Sequence, residues 1–289
     1  MKPVLTGNME ELLQYTAQPL YNYGPQFENL MNNCQSVLHQ LLLQDNALPE
    51  SNAYNCQFKS LLLYGNAGVG KSSIAAHLAK NSAFPFIRLM SPITFINMTE
   101  QQKIKELCNC FEDAYRSPLS IIILDTIERL LDYVELNSKF SAQLLSNIRA
   151  YCTKRPLNIN HRLLLIATTN NVSCCKQLGL FKLFNYKYQV PLLNDASMTT
   201  LLKKLLQNIA PIKTTNDNNF ESVVIDDEFI TKIIQKLNQT TKSLISVKDV
   251  ISIVQDAKSN VQFKNENHLS LESIESAIER YFEIDSKDV

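Results

Sequence analysis

Gly65-Asn66-Ala67-Gly68-Val69-Gly70-Lys71-Ser72 is the stretch on which the reading of this chain turns. It matches G-x-x-x-x-G-K-[ST] at every fixed position. Only six glycines occur in 289 residues, and this loop takes Gly65, Gly68 and Gly70. A chain that avoids glycine elsewhere concentrates it where the backbone needs shapes that a side chain forbids. Phe58–Tyr64 before the loop is a short apolar run of strand character. Residues 72–80 after it place Ile74, Ala75, Leu78 and Ala79 on one helical face. Strand, glycine loop and helix in that order make a phosphate cradle. Backbone N–H groups of residues 68–72 face a concavity, and the helix N-terminus adds partial positive charge. Lys71 then reaches the β- and γ-phosphates of a nucleotide, and the Ser72 hydroxyl binds Mg²⁺. Gly65, Asn66, Ala67, Gly68, Val69 and Gly70, with Ser73 just beyond, complete the expected binding loop.

Outward from the loop, strand and helix signals alternate from residue 58 to 191. Further strands are expected at 84–90, 120–124, 162–168 and 186–190. Helices are expected at 99–117, opened by a capping box of Thr99 and Gln102, and at 127–136, 139–151 and 174–178. Continuously apolar strands in such alternation specify an α/β fold, a parallel five-stranded sheet covered by helices on both faces. Before it, residues 27–43 show a helical period and 44–57 read as a loop. After Pro191 the strands stop, and helical patterns run at 196–208, 226–237, 247–256 and 271–284, with a polar loop at 214–219. Three segments follow: 1–57, an N-terminal linker and helix; 58–193, the P-loop core; and 194–289, a C-terminal helical lid.

Composition narrows the function. Lys+Arg and Asp+Glu are both 28, so the net charge is zero, which argues against a phosphate backbone as the main partner. No apolar run approaches the roughly 18 residues of a membrane span. Seven cysteines and four histidines show no metal-ligand spacing, and the cysteines read as thiols of a reducing compartment.

A P-loop ATPase needs a second strand that ends in an acid on the Mg²⁺ side. Ile121-Ile122-Ile123-Leu124-Asp125 supplies one, and Asp125 is also placed to cap a helix. The next residue, where an acid would activate water, is Thr126, whose hydroxyl is no general base near neutral pH. Glu128 is the nearest substitute, and it also suits a helix first turn. No arginine lies between Leu163 and Glu279. The region after the fourth strand offers only Lys176, Lys182 and Lys187, which lack the planar fork of an arginine finger.

Several runs resemble a known family. Phe84-Pro85-Phe86-Ile87-Arg88 through Ser91-Pro92, Phe111-Glu112-Asp113-Ala114-Tyr115-Arg116-Ser117, and above all Asp125-Thr126-Ile127-Glu128-Arg129-Leu130-Leu131-Asp132-Tyr133 look like the second AAA+ domain of the N-ethylmaleimide-sensitive fusion ATPases. Lys2-Pro3 and the Tyr23-Gly24 turn are similar to the start of that domain. The resemblance implies a domain that binds ATP with Mg²⁺ tightly, hydrolyses it poorly and holds a homo-hexamer together. It implies that Tyr23 and Gly24 cover the adenine, that Asn170 is the sensor asparagine after the fourth strand, and that Lys248 of the lid approaches the phosphates. It also implies that Phe95-Ile96-Asn97 is the pore loop, although Asn97 stands where glycine usually follows the apolar pair. SNAP adaptors and SNARE complexes would be engaged through domains not in this chain, in the cytoplasm and peripherally on vesicle and Golgi membranes.

Four functions follow for comparison. One is a nucleotide-bound assembly module. A second is a working ATPase with Glu128 or a neighbour's residue as base. A third, a small-molecule kinase, is opposed by the arginine-free stretch, and a fourth, a nucleic-acid-handling ATPase, by the neutral charge.

Overall fold

The computed structural model describes residues 9–42, 57–137, 139–207, 227–240, 245–263 and 271–285. The expected loop at 44–57, except Gln57, the expected loop at 214–219 and the opening Lys2-Pro3 lie outside them. The chain divides into two compact units. One is Met1–Leu20 with Asn29–Val190; the other is Tyr21–Glu28 with Pro191–Val289.

The first unit holds a wholly parallel sheet of β1 (Phe58–Tyr64), β2 (Phe86–Met90), β3 (Leu119–Leu124), β4 (Arg162–Thr169) and β5 (Tyr186–Gln189), in the order β2-β3-β4-β1-β5. The three central strands are fully buried at residues 61–63, 121–124 and 163–167. That is why they read as unbroken apolar runs: a parallel strand with helices on both faces has no wet side. Each of these leucines and isoleucines contributes roughly 1.5–3 kcal/mol by leaving water. The register sets Leu124 beside Ala167 and Tyr64 beside Thr169, so the strands end together. The residues that follow β1, β3 and β4 therefore share one edge.

Helices α1 (Met9–Thr16), α2 (Pro25–Leu42), α3 (Lys71–Asn81), α4 (Glu100–Arg116), α5 (Ile127–Leu130), α6 (Ala142–Tyr151) and α7 (Val172–Gln177) surround the sheet, and residues 25–28 of α2 are assigned to the second unit. Thr99 caps α4 as the sequence suggested. Its backbone N–H donates to Gln102 Oε1 at 2.8 Å, and its Oγ1 accepts from the Gln102 N–H at 3.4 Å.

Two expectations are corrected. The helix expected at 127–136 is a single turn, α5. Asp132 takes φ +53, the Tyr133 N–H returns to the Glu128 carbonyl and the Asp132 N–H to that of Arg129. This is a Schellman ending with aspartate at the left-handed position. The helix expected from 139 starts only at Ala142, because Val134 pairs with Lys139 in an antiparallel bridge and Ser141 becomes the cap. Helix α1 was not expected, since its eight residues show too few turns for a period to stand out.

The second unit contains α8 (Asp195–Gln207), α9 (Asp227–Thr240), α10 (Val247–Phe263) and α11 (Leu271–Asp285). Its short N-terminal piece is tied in by Lys204 Nζ, which donates to the Asn22 carbonyl at 2.6 Å. Lys236 pairs with Glu279 at 2.7 Å, and Tyr281 Oη donates to Asp249 at 3.0 Å. No helix among the described residues is long and apolar enough to cross a membrane.

Candidate functional site

The loop between β1 and α3 has the backbone that its glycines require. Gly65, Gly68 and Gly70 take φ +149, +77 and +94. A Cβ on Gly65 would stand 3.0 Å from the Val190 carbonyl oxygen, so this glycine lets the loop leave β1 against the end of β5. A Cβ on Gly70 would meet nothing within 4 Å, because that side of the loop is open. Val69 is buried beneath, while Asn66 and Ala67 are exposed.

Lys71 opens α3 and is buried. Its Nζ donates to the Gly65 carbonyl at 2.9 Å and to that of Asn66. Burial lowers its pKa to about 8; the nearby Glu128 and Asp125 carboxylates oppose that shift without cancelling it. An ammonium held dry beside an open loop is a strong partner for phosphate oxygens.

Ser72 and Asp125 meet across 53 residues: the Ser72 Oγ donates to Asp125 Oδ1 at 2.5 Å. Thr168, at the end of β4, donates to the same oxygen at 2.8 Å and accepts from the Thr126 N–H at 2.8 Å. The Tyr15 hydroxyl donates to Asp125 Oδ2 at 3.2 Å. Asp125 does not cap α5. That position belongs to Thr126, whose φ of +52 is rare for a β-branched residue and whose side chain makes no cap hydrogen bond.

A hydroxyl and a carboxylate are hard oxygen donors of the kind Mg²⁺ takes. Among the described residues no group of three or more His, Cys, Asp or Glu could hold a metal ion. A Mg²⁺ ion here would therefore be completed by phosphate oxygens and water, which is its usual arrangement in nucleotide sites. The open loop, the buried ammonium and the Ser72–Asp125 pair fit a Mg-nucleotide.

Glu128 is buried on α5. Its Oε1 accepts the Asn170 N–H at 2.9 Å, and its Oε2 is a buried atom with no hydrogen-bond partner. Asn170 thus joins the site through its backbone, and its side chain is exposed. Tyr23, Gly24 and Lys248 belong to the second unit. There the Tyr23 ring is buried against Phe27, with centroids 4.5 Å apart, Gly24 takes φ +135, and Lys248 is exposed on the first turn of α10. Phe95 is buried, Ile96 is exposed, and Asn97 takes φ +61. Asparagine is the commonest substitute for glycine in that conformation. The six described cysteines are free, and burial pushes Cys34, Cys110, Cys152 and Cys174 up to about 12.

Sequence reasoning missed Thr168 and Tyr15. The first had a signal, because a parallel pair ending at Leu124 and Ala167 sets residue 168 beside 125. The second had none.

Comparison with known proteins agrees with this geometry. Residues 61–192 match the family described as "ATPase family associated with various cellular activities (AAA)". The chain is similar to the vesicular-fusion protein SEC18 of Candida albicans, 33% identical over 191 residues, or 66% of this chain and 23% of that protein. It is similar to the vesicle-fusing ATPase of Dictyostelium discoideum, 31% identical over 244 residues, or 84% and 29%. A third relative is the vesicular-fusion protein SEC18 of Saccharomyces cerevisiae, 31% identical over 208 residues, or 72% and 25%. The chain spans less than a third of the length of each of these relatives.

Proposed function

This chain carries an AAA domain of the vesicle-fusing ATPase family, and from that premise we propose that it is the second ATPase domain of such a protein. It binds Mg-ATP chiefly to stabilise a homo-hexameric ring and turns little of it over. The observation that carries this reading is the 2.5 Å contact of Ser72 with Asp125 beside the buried Lys71. It joins the end of β3 to the glycine loop, as an Mg-nucleotide site requires. Bound Mg-ATP supplies the phosphate charge. Lys71 neutralises it, the backbone of residues 68–72 orients it, and Ser72 with Asp125 holds the ion. Asn170 attends the phosphates, and for Tyr23, Gly24 and Lys248 the nucleotide contacts are those that the family resemblance implies.

Weak turnover follows from what the chain lacks at two positions. Thr126 stands where an acid would take a proton from water. Between Leu163 and Glu279 the sequence has no arginine, and Lys176 and Lys187 lie over the Phe181 ring at 5.5 and 5.7 Å. The parent activity is the disassembly of SNARE complexes through SNAP adaptors, carried by other domains, in the cytoplasm and on vesicle and Golgi membranes.

A second reading, an actively hydrolysing remodelling ATPase, is favoured by the buried, unpartnered Oε2 of Glu128. Calorimetric titration with Mg-ATP, with phosphate release followed on the same sample, separates the two. The expected result is binding that Lys71→Ala weakens at least about tenfold, as losing a charge-assisted contact does, with turnover no higher than in that variant. Turnover abolished by both Lys71→Ala and Glu128→Gln supports the second reading instead.

A further inference from the structure

Among the described residues Asp125 has three side-chain donors, and they come from different parts of the fold. Ser72 comes from the glycine loop and Thr168 from β4, and both address Oδ1. Tyr15 comes from α1, 110 residues away, and among the described residues it is the donor to Oδ2. Helix α1 packs on α3 and β2. Glu11, one turn before Tyr15 and on the same face, accepts from Ser91 Oγ and from Thr94 Oγ1, the latter at 3.4 Å. Leu12 is buried, Lys80 Nζ reaches Thr16 Oγ1 at 3.5 Å, and His77 Nε2 lies 3.1 Å from the Gln18 carbonyl oxygen. One face of α1 thus binds the turn after β2 through Glu11 and the acid after β3 through Tyr15.

We infer that Tyr15 is a positioning residue of the Mg²⁺-side carboxylate, and that α1 is through it part of the nucleotide site, seated more firmly when Mg-nucleotide is bound. The inference rests on the reading of Asp125 given above. The terminal torsion of aspartate is broad. Two donors hold Oδ1, and the donor on Oδ2 adds a restraint on the opposite side of the same torsion, so both oxygens are held. Mg²⁺ demands near-ideal octahedral geometry, so a plane fixed in advance lowers the cost of ordering the ligand when the ion arrives. The phenol oxygen of Tyr15 does this from α1. It stays protonated, since burial and the adjacent Asp125 both raise its pKa above the ordinary tyrosine value. Coupling is reciprocal: if a seated α1 favours the ion, the ion favours a seated α1.

The test uses the unaltered chain, Tyr15→Phe, and Tyr115→Phe as a control that also loses a hydroxyl hydrogen bond, to the Lys154 carbonyl. Nucleotide bound at fixed ATP is followed as Mg²⁺ is raised. Tyr15→Phe is expected to need about threefold to tenfold more Mg²⁺ for half-saturation, the worth of one hydrogen bond. Tyr115→Phe should match the unaltered chain, and ATP affinity in chelator should be equal in all three. Amide exchange in residues 9–16 of the unaltered chain should slow on adding Mg-ATP more than on adding ATP in chelator. An unchanged Mg²⁺ requirement in Tyr15→Phe overturns the inference, and a lower one makes Tyr15 a competitor of the ion. Exchange in residues 9–16 that ignores Mg²⁺ overturns it without recourse to any variant. If the unaltered chain binds no nucleotide, the reading of the site falls and takes this inference with it.

Discussion

At Lys71, burial and charge pull in opposite directions. Burial lowers the pKa to about 8, against 10.5 for an ordinary lysine, because removing an ammonium from water is costly; Glu128 and Asp125 recover part of that cost. Between about 8 and 10.5 the unfolded chain binds more protons at this side chain than the folded chain does. The penalty for burying Lys71 is therefore fully present below about 8 and is relieved as pH rises through that window. Phosphate binding needs the ammonium, so its sign is opposite. Near pH 8, Mg-ATP binding should be accompanied by uptake of about half a proton. Calorimetry in two buffers of different ionisation enthalpy reads this directly, and Lys71→Arg, which stays charged, should show none. An uptake of zero in the unaltered chain would mean that the side chain is hydrated and ordinary. Thr126 and Glu128 sharpen the same point. The residue following Asp125 is a strained threonine, while the carboxylate two positions on is buried with one oxygen unpartnered.

Among the elements, the turn from β1 into α3 separates two costs of replacing glycine. Gly65 and Gly70 both have positive φ, but only Gly65 faces a backbone atom, the Val190 carbonyl, at 3.0 Å. Gly70→Ala should therefore cost about 1–2 kcal/mol of strain, and Gly65→Ala about 2–4 kcal/mol, because the end of β5 must also move. Urea denaturation of the two variants checks the order, and equal losses would show that the close approach yields freely. Elements whose determinants are local were legible in the sequence. β1 is bounded by its own apolar run, and α4 by the reciprocal pair Thr99 and Gln102. The helix expected at 127–136 failed because apolar residues continue past its end, and the stop is a left-handed aspartate that periodicity does not see. The candidate site was legible where it is contiguous, at residues 65–72, and at Asp125, which ends a strand. Tyr15 was not legible, since only the packing of α1 brings it to Asp125. The burial of Glu128 was hidden for a similar reason, because a first-turn acid looks the same whether it faces water or the sheet.

For the whole molecule, the reading of ATP as a ring stabiliser makes assembly depend on ligand by mass action. Sedimentation of the chain with Mg-ATP should show a larger species that reverts on chelation, and Lys71→Ala should remain small under both conditions. A mass indifferent to nucleotide would remove the structural role. The strand order β2-β3-β4-β1-β5 carries a different consequence, one of timing. The strand that leads into the glycine loop is made first, yet both of its partners come late: Phe58 pairs with Leu163, and Leu61 with Tyr186. On a ribosome adding ~5–20 residues per second, the roughly 100 residues between Tyr64 and Arg162 leave β1 unpaired for ~5–20 s. Throughout that interval Leu61, Leu62 and Leu63 have no sheet to enter. A nascent chain stalled before Thr169 therefore holds this apolar run with no partner strand, and an early pause turns the root of the glycine loop into an aggregation hazard.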